Sequence, residues 1–337
     1  MKTITKQHIL KRSCALLSIF MLGVNLLPAQ NGINDSTFNS PDTGENSIVK
    51  GPDNRVTLSA LQPGNNKIVI AGEFTTYNGS SANHIARLNV NGNIDNTFNT
   101  GSGFNNAPSS LAFQSDNKLI VGGSFSVYNR QPIQYFLRLN ANGSIDNTFK
   151  IGTGFDGPIA SIAIQSDGKI LVGGIFSTYN GVSNNGLVRL NKNGTIDGTF
   201  NATDTLYTNI SKIAVDAYGK VVIAYNNVSL RRLNADGSKD NSFTNHVYSP
   251  ISVMNTNALA VQNDGKIIIG GSAENFAING VAGLLKRYNS DGTLDTLFKE
   301  QNVSRSIIHA LKLQSDGKII VTGSQNIVPG SYRLQLY

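Results

Sequence analysis

The chain has 337 residues, 39% of them hydrophobic and 15% charged, with 34 Gly, 9 Pro, no Trp and a single Cys. That composition excludes a disordered, collagen-like or disulfide-scaffolded protein and supplies enough apolar surface for a packed core. The formal net charge of +7 would suit a polyanionic partner, but the way the charge is distributed removes that reading.

Lys2, Lys6, Lys11 and Arg12 precede an uncharged run that lasts until Asp35, and Cys14 to Val24 is almost wholly apolar before Leu26-Leu27-Pro28-Ala29-Gln30. A basic start followed by a short apolar stretch reads as a signal peptide over residues 1–29. The run is shorter than the about 20 apolar residues of a membrane span and is broken by Asn25 and Pro28, so no membrane insertion is expected after signal removal. The remainder carries 24 basic and 21 acidic residues, a net charge of +3, and nucleic acid is not an expected partner. Cys14, too early in the segment for a lipoprotein acylation site, leaves with the signal, and disulfide, thiol-nucleophile and thiolate-ligand chemistry leave with it.

From residue 31 onward the chain repeats itself. Leu-Ala-Phe-Gln-Ser-Asp-Asn-Lys from Leu111, Ile-Ala-Ile-Gln-Ser-Asp-Gly-Lys from Ile162 and Leu-Ala-Val-Gln-Asn-Asp-Gly-Lys from Leu259 are copies of one unit. Further copies start at Ser59 and Leu311, and a diverged one at Ile213. The anchor falls at Gln62, Gln114, Gln165, Asp216, Gln262 and Gln314, with spacings of 52, 51, 51, 46 and 52 residues. A period near 50 without a 3.6-residue apolar pattern points to propeller blades and away from a helical solenoid.

The third unit shows the elements most clearly: strand a over 161–165, a turn at Ser166-Asp167-Gly168, strand b over 169–176, a loop, strand c over 187–191, a turn, and strand d over 195–200. A three-residue turn pairs Gln165 with Lys169 and Ile164 with Ile170, and gives Gly168 the left-handed position. The c–d turn of the first unit likewise pairs Leu88 with Ile94 and Arg87 with Asp95. Arg138 with Asp146, Arg189 with Asp197, Arg232 with Asp240 and Arg287 with Asp295 follow suit, as cross-strand ion pairs of about 0.2–1 kcal/mol each. Asn31 to Phe38 matches the end of a unit, Asn142 to Phe149, so it is a lone strand d that can complete the last copy. The fold expected is all-β: a six-bladed β-propeller over residues 30–337, four antiparallel strands per blade, its ring closed by that N-terminal strand.

The unit Gln-Ser-Asp-Gly-Lys-Ile-Leu-Val-Gly-Gly, with Phe-x-x-Tyr-Asn-Gly, Arg-Leu-Asn, Asn-Gly and Ile-Asp-x-Thr-Phe behind it, resembles the delta-60 repeat of secreted bacterial β-propellers. The resemblance covers essentially all of 31–337. It implies the fold and an exported location (secreted, cell-surface or periplasmic), and carries no common activity.

Candidate chemistry competes with structural roles. Asn-x-Asp-Gly-x-x-Asp at 234–240 and 289–295 resembles the start of a calcium loop, but the bidentate Glu is missing and Asn91, Asn142 and Asn193 replace the middle Asp elsewhere. Asp116, Asp167, Asp264 and Asp316 sit in tight turns, where short polar side chains bond nearby backbone. The glycine pairs such as Gly173-Gly174 precede no helix and read as close-packing positions. Asp42, Asp53, Asp156 and Asp204 fall in d-to-a connections, from which a polysaccharide hydrolase or lyase would draw its acid and base. His84, His246 and His309 occupy unrelated phases of the repeat. No catalytic residue, metal ligand or cofactor is assigned.

The b-to-c connections stand out, because Tyr77-Asn78, Tyr128-Asn129 and Tyr179-Asn180 recur in three consecutive units and are lost from the fourth to the sixth. Tyr offers a rigid ring with a polar tip and Asn both donors and acceptors, which suits a sugar or peptide ligand. The competing role is packing, with Tyr sealing a seam and Asn-Gly making a turn. The reading is a non-catalytic binding or scaffold module for an extracellular glycan or protein, with a polysaccharide-active enzyme and a purely structural surface protein as alternatives.

Overall fold

A computed structural model describes residues 51–202, 209–225, 229–244, 246–247, 254–275, 280–298, 301–304, 306–328 and 331–333. Residues 1–50, on which the expected signal peptide and the expected ring-closing strand fall, lie outside the described residues. The chain divides into two compact units, Met1–Phe149 and Lys150–Tyr337.

All regular structure among the described residues is β; each repeat builds one main antiparallel sheet, and the first three each add a two-stranded hairpin. In the first unit, strands a, b and c are Val56–Leu61, Ile68–Gly72 and Ile85–Leu88, then Pro108–Phe113, Leu119–Gly123 and Phe136–Leu139. In the second they are Ile159–Ile164, Ile170–Gly174 and Leu187–Leu190, followed by Ile210–Val215, Val221–Tyr225 and Ser229–Leu233. Met254–Val261, Ile267–Asn275 and Gly280–Tyr288 form the fifth set, and Ser306–Leu313, Ile319–Val328 and Ser331–Arg333 the sixth. Strand b of the first three repeats is buried at every position, as a central strand packed on both faces must be, and its apolar run is therefore unbroken.

Both registers follow the repeat pattern. Ile164 faces Ile170, Gln165 N–H donates to Lys169 O at 2.9 Å, and Gly168 takes φ 81°. Leu88 bridges Ile94 and Asp95 N–H donates to Arg87 O at 2.8 Å. Strand d is shorter than expected. It contracts to that single bridge and then turns, because the Asp of each Asp-x-Thr/Ser uses Oδ1 to accept from the backbone N–H two residues on, at 3.0 Å for Thr97. A full fourth strand appears in the fourth and fifth sheets, supplied by the following connection as His246–Val247 and Gln301–Ser304. The glycine pair in strand b is a packing device: a Cβ on Gly173 would come within 2.5 Å of Ile213 Cδ1 in the next repeat.

The Arg–Asp pairs are parts of a larger buried cluster. In the first repeat Arg87 Nε donates to Asp95 Oδ2 at 2.6 Å, Lys67 Nζ reaches the same oxygen at 2.8 Å, and Thr97 Oγ1 donates to Oδ1 at 2.6 Å. Arg87 also donates to Gln62 Oε1 at 3.1 Å and to the carbonyl of Ala141, in the c–d turn of the second repeat, while its guanidinium lies 4.7 Å from the Phe98 ring centroid. The arrangement recurs around Arg138, Arg189, Arg232 and Arg287. Arg189 and Arg232 likewise donate to Ala235 O and Ser290 O of the repeat that follows each. The surface value of about 0.2–1 kcal/mol for such a pair does not apply here. Removing one partner of a buried pair costs about 3–5 kcal/mol because the other charge is left uncompensated.

The fifth repeat is the least complete. Leu297 stands where the others have Thr97, Thr148, Thr199 or Ser242 and is 89% exposed, and Gln262 Oε1 is buried without a partner among the described residues. Leu297→Thr supplies a hydroxyl to Asp295 Oδ1, and a higher urea midpoint is expected; an unchanged midpoint would contradict this account. The clusters also set the response to acid. Burial alone raises the carboxyls of Asp95, Asp146, Asp197 and Asp240, but their Lys, Thr or Ser and Arg partners outweigh it and hold them well below the ordinary value. At Asp295 the Lys266 hydrogen bond leads and lowers the pKa to about 2. Folded pKa values below the unfolded about 3.9 give stability that is present above that pH and lost as pH falls through the folded values. The urea midpoint is therefore expected to be level from pH 5 to 7 and to drop steeply below about pH 4.

Candidate functional site

The recurring b-to-c motif folds as a miniature hairpin. Thr76–Tyr77 pairs with Ser80–Ser81, Val127–Tyr128 with Gln131–Pro132, and Thr178–Tyr179 with Val182–Ser183. The two turn residues all take positive φ: Asn78 and Gly79 at 51° and 78°, Asn129 and Arg130 at 46° and 61°, Asn180 and Gly181 at 51° and 74°. That is the two-residue turn whose twist matches a hairpin, and Asn-Gly is its preferred sequence.

Each hairpin is clipped to the d-to-a connection before it. Asn129 N–H donates to Gly103 O at 2.8 Å, and its Oδ1 accepts from Ser102 N–H at 3.2 Å. Asn180 repeats this with Gly154 O at 2.7 Å and Thr153 N–H at 3.1 Å, and Asn78 with Gly51 through both groups. Phe104 and Phe155 lie on the tyrosines, with ring centroids 4.5 Å from Tyr128 and 4.4 Å from Tyr179. Further along the same strand of each hairpin a second clip recurs: Asp53 Oδ1 accepts from Thr75 and Thr76 N–H at 2.8 and 2.9 Å, Asn105 Oδ1 from Ser126 and Val127 N–H at 3.0 Å each, and Asp156 Oδ1 from Ser177 and Thr178 N–H at 2.8 and 2.9 Å.

These contacts reassign the motif. Tyr77, Tyr128 and Tyr179 are at most 1% exposed, and their hydroxyls donate to Gly92, Gly143 and Gly194 O at 2.8, 2.6 and 2.7 Å. Burial raises the phenols of Tyr128 and Tyr179 above their ordinary pKa. The rings are supports beneath the surface and offer no stacking platform. The asparagines lie nearer the solvent: Asn129 and Asn180 are exposed and Asn78 is half-buried. The Nδ2 groups of Asn129 and Asn180 have no hydrogen-bond partner among the described residues. Tyr77-Asn78 and Tyr128-Asn129 belong to the first unit and Tyr179-Asn180 to the second, and each pair is assembled within its own repeat and the connection preceding it.

The acids of the d-to-a connections do structural work where they are described. At both Asp53 and Asp156 burial raises the carboxyl, and bonds from backbone N–H groups more than reverse it, so both pKa values are lowered. A side-chain oxygen that accepts hydrogen bonds is what the position needs, and neutral Asn105 fills it in the same way, so neither acid is tuned as a proton donor. Asp42 and Asp204 lie outside the described residues. In the calcium-like turns Asp236 and Asp291 accept from Ser238 and Thr293 N–H at 2.9 Å each, and Asn142 and Asn193 accept in the same way from Ser144 and Thr195. Among the described residues no three His, Cys, Asp or Glu cluster as a metal site would require. His84 Nδ1 lies 2.8 Å from Gly72 O, His309 is exposed, and the His246 side chain lies outside the described set. The recurring acceptor at 53, 105 and 156 was readable in the sequence as Asx at the repeat period. Its mixture of acid and amide was the signal that it accepts hydrogen bonds.

Loss of one buried hydroxyl bond gives the measurable cost of these supports. Tyr128→Phe is expected to lower unfolding free energy by about 0.5–1.5 kcal/mol, with Gly143 O left unpaired. An unaltered urea midpoint would show that the hydroxyl contributes nothing.

A family model described as a β-propeller domain of unknown function, DUF5122, matches residues 64–98, 114–149, 165–200, 212–243 and 262–298, more than half of the chain. No curated protein is significantly similar in sequence. Among solved structures, the extracellular domain of the one-component system BT4673 from B. thetaiotaomicron is 15% identical with a TM-score of 0.48, over 86% of this chain and 39% of that one. The extracellular domain of the hybrid two-component system BT4673 from the same organism is 15% identical with a TM-score of 0.49, over 84% of this chain and 32% of that one. The chain spans less than half the length of either. No helix among the described residues is long and apolar enough to cross a membrane.

Proposed function

The chain belongs to the DUF5122 β-propeller family, and on that premise we propose that it is a non-catalytic binding module exported through its N-terminal segment, with an extracellular glycan as its ligand. The delta-60 resemblance of the repeat supports the exported location. The observation that carries the reading is the set of clipped hairpin tips. Each holds an Asn in a fixed left-handed conformation by two hydrogen bonds, while Asn129 and Asn180 keep an amide donor pair toward solvent. Around them stand the exposed polar groups Ser80, Ser81, Gln131 and Ser183, with the exposed Arg130 beside Asn129. Rigid amide donors match a ligand rich in hydroxyls, because little side-chain entropy is lost when it binds. Each buried tyrosine serves its own tip as scaffolding.

Thermal unfolding against a panel of neutral glycans and cell-wall fragments tests the reading. Ligand at 100 times Kd adds about 2.7 kcal/mol, and the rise in melting temperature is expected to shrink in Asn129→Ala and in Asn180→Ala, each tip losing its own contribution, while persisting in Tyr128→Phe. A rise undiminished in both asparagine variants would move the site off the hairpins. No rise with any glycan would overturn the glycan assignment in favour of a protein partner or a structural role.

A further inference from the structure

The turn at the tip of the second hairpin departs from its siblings. Its second residue is Arg130 at φ 61°, where the first and third hairpins have Gly79 at 78° and Gly181 at 74°. A side chain in this left-handed region costs stability. Packing does not call for one there, because a Cβ at Gly79 or Gly181 would meet no atom within 4 Å. Five residues on, the departure recurs: Tyr135 takes φ 66° where the third repeat has Gly186 at 86°, and both carbonyls accept from the last glycine of strand b. His84 fills that place in the first repeat, also at φ 66°, with its ring tied to Gly72 O.

Both residues stand on fixed backbone. Arg130 lies between Asn129, clipped to Gly103 and Ser102, and Gln131, which Pro132 confines to an extended conformation. Tyr135 N–H donates to Phe125 O at 2.9 Å, and its carbonyl accepts from Gly123 N–H at 2.9 Å. Arg130, Gln131 and Gln134 are exposed and Tyr135 is half-buried. From Gln131 to Tyr135 the returning strand runs about 13 Å, the reach of an oligosaccharide rather than of a single sugar. From Asn96 to Ile145 the sequence contains one acid, Asp116, which sits in the a–b turn at the other end of the sheet. Left-handed strain at large side chains gathers at binding sites, where it serves preorganisation.

We infer that the second hairpin selects an acidic saccharide: Arg130 takes a carboxylate or sulfate group through its planar fork of donors, Asn129 and Gln131 take neighbouring hydroxyls, and Tyr135 packs against a later sugar of the same ligand. The inference rests on the hairpin tips being the glycan site and adds the charge of the ligand. Stability and binding are then opposed at Arg130, since the residue that relieves the turn is the one that cannot hold the anion.

The test is calorimetric titration of the whole chain at constant ionic strength with an oligogalacturonate, a sulfated galactan oligosaccharide and the neutral galactan oligosaccharide. At least one acidic sugar is expected to bind about tenfold or more tighter than the neutral one, and which of the two does so tells carboxylate from sulfate. Arg130→Gly, which installs the residue of the sibling turns, is expected to abolish that preference while its urea midpoint stays at or above the parent value. A side chain that merely served the fold would lower the midpoint instead. Tyr135→Gly is expected to weaken the acidic oligosaccharide, and unaltered affinity there would overturn the part given to its ring. No acidic preference in the parent, the same preference in Arg130→Gly, or a lower midpoint in Arg130→Gly would overturn the inference. Neutral glycans that still bind through Asn129 would in that case leave the hairpin reading standing, so the two failures are told apart.

Discussion

The guanidinium–carboxylate cluster at the c–d turn is the constraint on which the rest of the molecule depends. Each Asp carboxylate gathers Lys, Arg and, in four of the repeats described, a hydroxyl, and each Arg stacks over the Phe that ends the repeat. A buried charge pair alone is weak evidence for stability. What distinguishes these clusters is the number of hydrogen bonds each carboxylate gathers and the donation from Arg87, Arg189 and Arg232 into the next repeat's turn. The cluster therefore fixes the end of one sheet and the seating of its neighbour together.

Much of this architecture was legible in the sequence, because turn chemistry and strand alternation act locally. The Ser-Asp-Gly turn fixed the a–b register at Ile164 and Ile170, and Arg87 with Asp95 fixed the c–d register. The roles of Lys67, Gln62 and Thr97 were not legible. They stand 28, 25 and 10 residues from their partners in the cluster, and convergence over that separation is set by sheet packing. The length of strand d was misjudged for a related reason. Asp95 looks like a strand residue in the alternation, yet its carboxylate draws the chain into a turn.

The candidate site shows the same division. Recurrence at one repeat phase marked Tyr77, Tyr128 and Tyr179 as important, and recurrence cannot separate a ligand contact from a packing contact. Burial separated them: the rings support, and the asparagines at the tips face outward. Arg130 gave little sequence signal, since an arginine in a polar turn is unexceptional until the backbone shows it in a left-handed conformation that the sibling turns give to glycine.

The partner of each bridging Arg in the next repeat is a backbone carbonyl, that of Ala141, Ala235 or Ser290. A carbonyl is present whatever residue carries it, so the joint makes almost no demand on the identity of the neighbouring side chain. At this joint, unlike the side-chain-specific seat of Gly173 against Ile213, one copy's turn residues can change without loss of the contact. The joint thus tolerates the divergence between copies that keep a Tyr-Asn hairpin and later ones that lack it.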